Sequence, residues 1–266
     1  MTIDASAREQ FLKEYRQIRH AEGRGSDQSA YYRALPYTDV SGRNSAMWAM
    51  RARTYEYLSQ HILPGIEKSA RRPLNILDLG AGNCWLSYRL SERKHRLVAL
   101  DIFSDEQDGL RAARHYPNSF SVIEADFDHL PLGDATFDLI IYNSSLHYSI
   151  DYTHTLSEAR RCLRPGGALL ILDSPIYRRR EYGERMVEER HAEFEKRYGF
   201  RSDTLPSIEF LDEPALVKLS GDLGINWKIY RPWYGWRWHI RPYKAWLTNR
   251  RPPSRFWILA GRFERR

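Results

Sequence analysis

The sequence has few cysteines and no long apolar run, and these absences exclude several classes of protein. Only Cys84 and Cys162 occur among 266 residues, so neither a disulfide framework nor a cysteine-based metal site is expected. The longest apolar runs are strand-sized, well short of the ~20 residues that span a bilayer. The segment Met1–Arg19 also lacks the apolar region of a secretory signal. We therefore expect a cytoplasmic protein with no metal and no membrane partner.

The formal net charge of +7 is concentrated in the C-terminal part of the chain. Between Trp227 and Arg266 there are eleven Lys or Arg residues and one acid, Glu264. Such a segment can attract nucleic acid, anionic lipid or an acidic substrate. A solvated basic face without a partner is the alternative, and composition does not separate the two.

Short apolar runs alternate with helical patterns in the middle of the chain. These runs are Asn75–Leu79, Arg96–Leu100, Phe120–Ala125, Phe137–Tyr142 and Ala168–Leu172. Near-continuous apolar strands separated by helices are typical of a parallel sheet that is covered on both faces. Since crossovers between parallel strands are right-handed, we predict a doubly wound α/β fold.

Four segments of one integrated domain are predicted. They are an N-terminal helical lid or extension (1–70), the α/β core (71–175), a helical cap insertion (176–226) and the last two strands with a basic aromatic connection (227–266). Helical spacing predicts a helix over Met47–Leu63 that ends at Pro64-Gly65. The charged stretch Tyr177–Tyr198 has one apolar stripe and predicts a further helix in the cap.

The stretch Leu77-Asp78-Leu79-Gly80-Ala81-Gly82 is the first candidate for chemistry. Glycines between a buried strand and a helix let the backbone turn sharply and let a ligand approach the main chain closely. The free N–H groups at the start of the helix add an electropositive end. An ordinary strand-to-helix turn has the same pattern, so this stretch alone does not identify a site.

Polar residues at the ends of the next three apolar runs strengthen the prediction. Asp101 ends the second run, where an acid can accept hydrogen bonds from both hydroxyls of a ribose. Asp126 and Phe127 follow the third run, and an acid beside an aromatic ring suits adenine. The fourth run leads into Asn143. In parallel sheets these ends share one edge, which is where ligands bind.

In this order, the pieces resemble the small-molecule branch of the class I S-adenosylmethionine-dependent methyltransferases, the methyltransferase type 11 group. The matching stretch is Asn75–Asp173, which also contains Leu130–Leu132, Phe137–Ile140 and Leu163–Gly167. The resemblance implies a Rossmann-like, seven-stranded sheet with an antiparallel last strand, and S-adenosylmethionine as the cofactor. The cofactor-binding residues it implies are Asp78, Gly80, Ala81, Gly82, Asp101, Ile102, Asp126, Phe127 and Asn143.

The chain departs from this family inside the glycine turn. Cys84 stands where a third glycine is usual, and the bulky Trp85 follows it. We expect a tighter loop around the cofactor as a result. The rival fold family, the nicotinamide-dependent oxidoreductases, requires a glycine at the position of Trp85 and is therefore disfavoured.

His147 is the candidate catalytic base, because it follows the fourth strand and imidazole titrates near neutrality. A histidine that only caps a helix or lines the pocket is the alternative. The candidate substrate-binding residues are Tyr31, Arg33, Tyr37, Tyr148, Trp236 and Arg237. The first three belong to the N-terminal lid, and the last two to the aromatic and basic stretch Arg231–Arg255. Packing against the core is the alternative for both groups.

Three functions follow from these observations. The first is methylation of a small molecule, either aromatic or anionic. The second is methylation of RNA or protein through the basic aromatic segment, but no RNA-binding module is recognisable and nucleic acid is not favoured. The third is a non-catalytic binding protein, supported only by Cys84 and Trp85. The sequence does not identify the acceptor atom, the pathway or the oligomeric state.

Overall fold

Helices and strands alternate along the chain, which the computed structural model describes over residues 5–117 and 120–264. The helices are α1 Ala5–Ala21, α2 Ser29–Ala34, α3 Ser45–Tyr57, α4 Leu63–Ala70, α5 Trp85–Glu92, α6 Tyr152–Cys162, α7 Arg180–Tyr198, α8 Glu213–Leu223, α9 Trp236–His239 and α10 Arg241–Leu247. The strands are β1 Asn75–Leu79, β2 Arg96–Asp101, β3 Ser121–Glu124, β4 Phe137–Asn143, β5 Leu163–Leu172, β6 Ile176–Tyr177, β7 Leu211–Asp212, β8 Ile225–Tyr230 and β9 Ile258–Phe263. Single 3₁₀ segments cover Leu110–His115 and Leu146–Tyr148.

Seven of these strands form one twisted sheet in the order β3-β2-β1-β4-β5-β9-β8. The five strands from β3 to β5 are parallel, and β9 runs antiparallel to both β5 and β8. From β1 the sheet is built outward through β2 to β3, and from β4 it is built in the opposite direction to β5. The strand order therefore reverses between β1 and β4. The predicted Rossmann-like sheet with an antiparallel last strand is confirmed.

Side chains of the central strands alternate between two buried faces. Ile76 and Leu139 belong to a core shared with α3 and α5, whereas Leu77 and Ile140 belong to a second core shared with α6 and α8. All four side chains are fully buried. This double burial explains why the strands are near-continuously apolar instead of alternating with polar residues.

The N-terminal helices pack on the first of these faces, and their ends differ from the prediction. One π-helical turn, Leu58–Ile62, follows α3, and α4 then continues with Pro64 in its first turn. The expected end of the helix at Pro64-Gly65 is therefore wrong. The π turn interrupts the i→i−4 hydrogen-bond pattern just before Pro64, at the point where proline has no N–H to donate.

The cap is built on α7, a 19-residue helix that begins three residues later than predicted. Its predicted apolar stripe is only half-buried, and Gly183 and His191 are its buried residues. A two-stranded parallel sheet of β6 and β7, which the sequence did not predict, joins the cap to the core. No helix within residues 5–117 and 120–264 is long and apolar enough to cross a membrane.

Asp78 is a carboxylate placed in this core by the alternation of β1. Its side chain is buried, and its Oδ2 accepts a hydrogen bond from Ser87 Oγ of α5 at 2.7 Å. Burial raises the pKa of Asp78 to about 7 from its usual 3.8, and the Ser87 hydrogen bond only partly opposes this. The folded protein therefore holds a proton that the unfolded chain releases near pH 4.

We predict that Asp78 makes the fold less stable as pH rises. A carboxyl group whose pKa is raised by folding stabilises the folded state below its unfolded pKa, and this contribution is lost as pH rises through the folded pKa of about 7. Between pH 5 and 8 the native protein should lose up to about 3 kcal/mol of unfolding free energy that Asp78→Asn retains. Urea unfolding at the two pH values measures this, with the exposed Asp222→Asn as the charge control. Equal losses in all three proteins would contradict the prediction.

Candidate functional site

The glycine turn, Gly80–Gly82, follows β1 and contacts residues at the end of β2 and just after β4. After β1, the amides of Gly80 and Ala81 both donate to the carbonyl oxygen of Leu100, at 2.8 and 3.1 Å. Gly80 has φ +72°, and a Cβ built on it would lie 2.2 Å from Cβ of Ser145. Ser145 is held there by a 2.5 Å hydrogen bond from its hydroxyl to the Leu79 carbonyl. Both the backbone conformation and the lack of space therefore require glycine at position 80.

Asp101 fastens the same turn to the end of β2. Its Oδ2 accepts from the amide of Gly82 at 2.8 Å, and its Oδ1 accepts from the amide of Phe103 at 2.9 Å. Burial raises the pKa of Asp101, against the lowering effect of these amides. Each carboxylate oxygen retains a lone pair, so Asp101 can still accept hydrogen bonds from a ligand.

A cavity opens above this turn, and we call it the strand-edge cavity. It lies at the carboxyl edge of the parallel strands, and the space it spans is about 1050 Å³ when the open solvent at its mouth is included. Of the nine predicted cofactor residues, eight line it: Gly80, Ala81, Gly82, Asp101, Ile102, Asp126, Phe127 and Asn143. The ninth, Asp78, points into the core towards α5 and is not among the lining residues. The Oδ1 atom of Asn143 is buried and has no hydrogen-bond partner among the described residues.

Cys84 and Trp85 lie differently with respect to this cavity. Cys84 adopts a left-handed conformation with φ +63°, and its fully buried thiol lies 3.6 Å from the Gly82 carbonyl oxygen. It is not one of the lining residues, whereas Trp85 is. The Trp85 ring packs edge-on against Trp48 and Tyr55 of α3. At the departure from the family pattern, Cys84 is buried and Trp85, the residue after it, ties the turn to α3.

Helix α1, which lies within the segment 1–70 predicted as a helical lid or extension, covers the cavity. Phe11, Tyr15 and Arg19 all line it. The Tyr15 ring packs edge-on against Phe103 at 5.0 Å, and Arg19 forms an ion pair with the buried Asp108. In the sequence, Phe11 and Tyr15 recur at helical spacing, which predicts a helix. Spacing alone does not say what the face of that helix covers.

A second cavity adjoins the first, and we call it the helix-side cavity. The space it spans is about 1190 Å³ when the open solvent at its mouth is included. The residues it shares with the strand-edge cavity are Phe11, Tyr15, Arg19, Arg51, Ser144, Tyr148 and Ser207. Met47 and Met50 of α3, Phe194 of α7 and Phe256 complete much of its apolar wall. The seven shared residues make the two cavities direct neighbours.

Most charges around the helix-side cavity are paired. Arg19 pairs with Asp108, Arg24 with Glu22, and Arg190 with Glu209. These pairs leave little net charge to act on a ligand.

Arg51 and Asp173 differ from these pairs. The Arg51 guanidinium lies over the Trp48 ring and reaches Ser144 Oγ at 3.4 Å, and among the described residues it has no carboxylate within ion-pair distance. Burial, and the charges of Arg24 and Arg19, lower the pKa of Arg51 to about 10, so it remains a cation at neutral pH.

Asp173 immediately follows β5 and also lines the helix-side cavity. Its Oδ1 accepts from Thr54 Oγ1 at 2.6 Å, while its buried Oδ2 has no partner among the described residues. Burial raises the pKa of Asp173. The sequence reasoning gave it no role, although an acid that directly follows a buried strand at this edge is the same signal that identified Asp101.

His147, the predicted base, lies outside both cavities. It is buried and is not among the described residues that line either one. Burial, with the charges of Arg190 and Arg51, lowers the pKa of His147 to about 3. An imidazole with so low a pKa is a weak base, and we give it no role in the proposed mechanism.

Tyr148 is the one predicted substrate residue that lines the cavities, and it lines both. Tyr31 is buried against Tyr32, and Arg33 donates to the carbonyl of His115. Tyr37 is half-exposed beside Arg89, while Trp236 and Arg237 lie on the outer surface. The N-terminal cover over the cavities is thus α1 instead of the predicted tyrosines.

Comparison with known proteins finds similarity to methyltransferases. The profile described as a methyltransferase domain matches residues 77–171. A curated relative, malonyl-[acyl-carrier protein] O-methyltransferase of Erwinia pyrifoliae, is 31% identical over 116 residues, which are 44% of this chain and 41% of that protein. The chain therefore spans about two-fifths of the length of this relative. The predicted resemblance to class I S-adenosylmethionine-dependent methyltransferases is confirmed.

Solved structures agree with the fold. An S-adenosylmethionine-dependent methyltransferase from Mesorhizobium loti has a TM-score of 0.53 at 19% identity, covering 82% of this chain and 97% of that one. The 1,6-didemethyltoxoflavin-N1-methyltransferase of Burkholderia thailandensis, solved with 1,6-didemethyltoxoflavin and S-adenosylhomocysteine, has a TM-score of 0.50 at 16% identity, covering 82% and 79%. At these identities the likeness concerns the fold alone.

We predict that alanine is tolerated far better at position 82 than at position 80. Both glycines have positive φ, so alanine costs about 1–2 kcal/mol at either position. At Gly80 the new Cβ must also displace Ser145, whereas at Gly82 its nearest neighbour is the Asp108 carbonyl oxygen at 3.8 Å. Chemical denaturation should therefore show a clearly larger loss for Gly80→Ala than for Gly82→Ala. Equal losses would show that Ser145 moves aside freely.

Proposed function

We propose that this protein is an S-adenosylmethionine-dependent methyltransferase that holds the cofactor in the strand-edge cavity and a small-molecule acceptor in the helix-side cavity. The observation that carries the proposal is the convergence of eight predicted cofactor residues on one cavity that shares a wall with a second. S-adenosylmethionine supplies an electrophilic methyl group, so the protein mainly has to position the reactants and keep water away.

The strand-edge cavity has the chemical groups that this cofactor needs. Asp101 can accept from ribose hydroxyls, and Asp126 beside Phe127 offers an acceptor and an aromatic face for adenine. The unpartnered Oδ1 atom of Asn143 fits a donor such as the ammonium of the methionine part, because a buried acceptor without a hydrogen bond is unfavourable. Helix α1 excludes water from above through Phe11 and Tyr15.

The helix-side cavity favours an acceptor that carries an anionic group. Arg51 is its unpaired cation, next to apolar side chains such as Met47, Met50 and Phe256. Enclosure by α1, α3 and α7 suits a small molecule better than a nucleic acid or a protein surface.

Asp173 is the proposed general base. Its free Oδ2 would take the proton that a hydroxyl or amine acceptor gives up as it is methylated. The raised pKa of Asp173 makes it a better proton acceptor than an ordinary carboxylate. Thr54 fixes the other oxygen, so the orientation of the carboxylate is set before the acceptor arrives.

Calorimetric titration with S-adenosylhomocysteine tests the cofactor assignment. We expect micromolar binding, with NADH as a negative control. Asp101→Asn should weaken the affinity about tenfold or more, since the substitution removes a charged hydrogen-bond acceptor but keeps an oxygen for the amide of Gly82. Unchanged affinity would remove Asp101 from the site, and binding of NADH instead would overturn the cofactor.

Turnover measured over a panel of hydroxy- and amino-acids and their neutral esters tests the acceptor site. Arg51→Gln should raise KM for the acids about tenfold or more and leave the esters unaffected, because a buried charge pair is lost only with the acids. Arg24→Gln is the matched control, since Arg24 is already paired with Glu22. A similar rise in KM for acids and esters would contradict an anionic acceptor.

The pH profile tests Asp173. Because only the ionised carboxylate can accept a proton, kcat should fall as pH drops below the raised pKa of Asp173. Asp173→Asn should lower kcat about 100-fold, abolish that acidic limb and preserve S-adenosylhomocysteine affinity. An unchanged pH profile in the variant would remove Asp173 as the base. Cofactor binding without turnover of any acceptor would favour a non-catalytic binding protein.

A further inference from the structure

The helical segment 236–247 turns its apolar side towards solvent. Helices α9 and α10 are joined through Ile240, which has helical φ and ψ, and the amides of Ile240 and Lys244 donate to the carbonyls of Trp236 and Ile240 at 3.0 Å. The outward side chains of this segment, Trp236, Ile240, Tyr243, Trp246 and Leu247, are 52% to 79% exposed. They recur at intervals of three and four residues and therefore form one stripe.

This exposure is not a sign of a loosely attached segment. Tyr234, just before α9, is buried, and its hydroxyl donates to the Phe256 carbonyl at 2.9 Å. Trp238 packs edge-on against Phe256, and Arg241 donates to the Ser254 carbonyl at 2.6 Å. The inner side of the segment is thus anchored, and the apolar stripe is held outward. Monomeric proteins rarely expose a contiguous patch of this kind without a partner.

The flanks of the stripe are basic. Arg237 and Lys244 are exposed beside it, and the sequence from 231 to 263 contains no acid. A surface cavity between α7 and this segment is lined by Arg185, Arg241, Lys244, Arg250 and Arg251, with Glu189 as its one acid. Glu189 pairs with Arg251, and Arg241 is turned inward to the Ser254 carbonyl. Arg185, Lys244 and Arg250 have no carboxylate partner among the described residues and are left to meet an anionic surface.

We propose that the segment 233–251 docks this protein on an anionic lipid bilayer. Trp and Tyr rings fit the interface between headgroups and acyl chains, while Arg and Lys pair with lipid phosphates. The aliphatic Ile240 and Leu247 favour lipid over nucleic acid, because they gain by entering hydrocarbon and gain nothing from stacking on bases. The earlier expectation of no membrane partner rested on the lack of a spanning segment, which an interfacial helix does not need. This proposal does not depend on the proposed methyl transfer.

Vesicle flotation of the full chain tests the docking surface. Vesicles of phosphatidylcholine alone are compared with vesicles that contain about one third phosphatidylglycerol. We expect binding to the second kind only, weakened by high salt, with a blue shift of tryptophan fluorescence. Trp246→Ser combined with Leu247→Ser should lower the partition coefficient at least about tenfold, because both side chains lose their apolar contact with the bilayer.

Matched variants separate docking from general effects. Val217→Ser removes an exposed apolar side chain on the distant helix α8 and should leave binding unchanged. Lys244→Gln combined with Arg250→Gln should weaken binding to anionic vesicles and reduce its salt dependence. Equal thermal unfolding temperatures of all variants show that the fold is intact.

Three results would overturn the proposal. The first is no binding of the folded protein to anionic vesicles. The second is equal binding by the Trp246 and Leu247 double variant. The third is a protein that is dimeric in solution through this stripe, or that binds single-stranded RNA through it, and that in either case does not bind vesicles.

Discussion

The hydrogen bond from the amide of Gly82 to the carboxylate of Asp101 is the contact on which the site depends. It joins the turn after β1 to the end of β2, and so fixes the floor of the strand-edge cavity relative to its side. Gly80 can then sit against Ser145 without a side chain between them. A parallel sheet brings these strand ends to one edge, and this bond gives that edge a defined shape.

The N-terminal helices turn this open edge into an enclosed pair of cavities. Trp48 and Tyr55 hold Trp85 from one side, while Phe11 and Tyr15 cover the turn from above. The sheet alone supplies a place for a cofactor. Half of the residues that line the helix-side cavity belong to α1, α3 and α7, and all of its lining residues except Ser144 and Tyr148 lie outside the stretch that matches the methyltransferase profile. This division explains why the cofactor class is easier to infer than the acceptor.

The sequence predicted the sheet and the residues at its carboxyl edge because both follow from local patterns. Asp101, Asp126 and Asn143 each stand at or just after the end of an apolar run. The strand order then brings these ends to one edge of the sheet. His147 shows the limit, because its position four residues after β4 does not say whether its side chain faces the cavity or the core. The role of α1, and the surroundings of Arg51 and Asp173, depend on contacts between residues that are about ninety or more positions apart. No local pattern contains that information.

Thr54 belongs to two parts of the molecule at once. Its hydroxyl holds Asp173, and the same oxygen lies 2.9 Å from the Tyr234 hydroxyl, which anchors the outward helical segment. The Asp173 carboxylate at the cavity and the Tyr234 anchor of the outward segment therefore have a common neighbour, the Thr54 hydroxyl. A change at the surface that moved Tyr234 would have only this one side chain between it and the carboxylate.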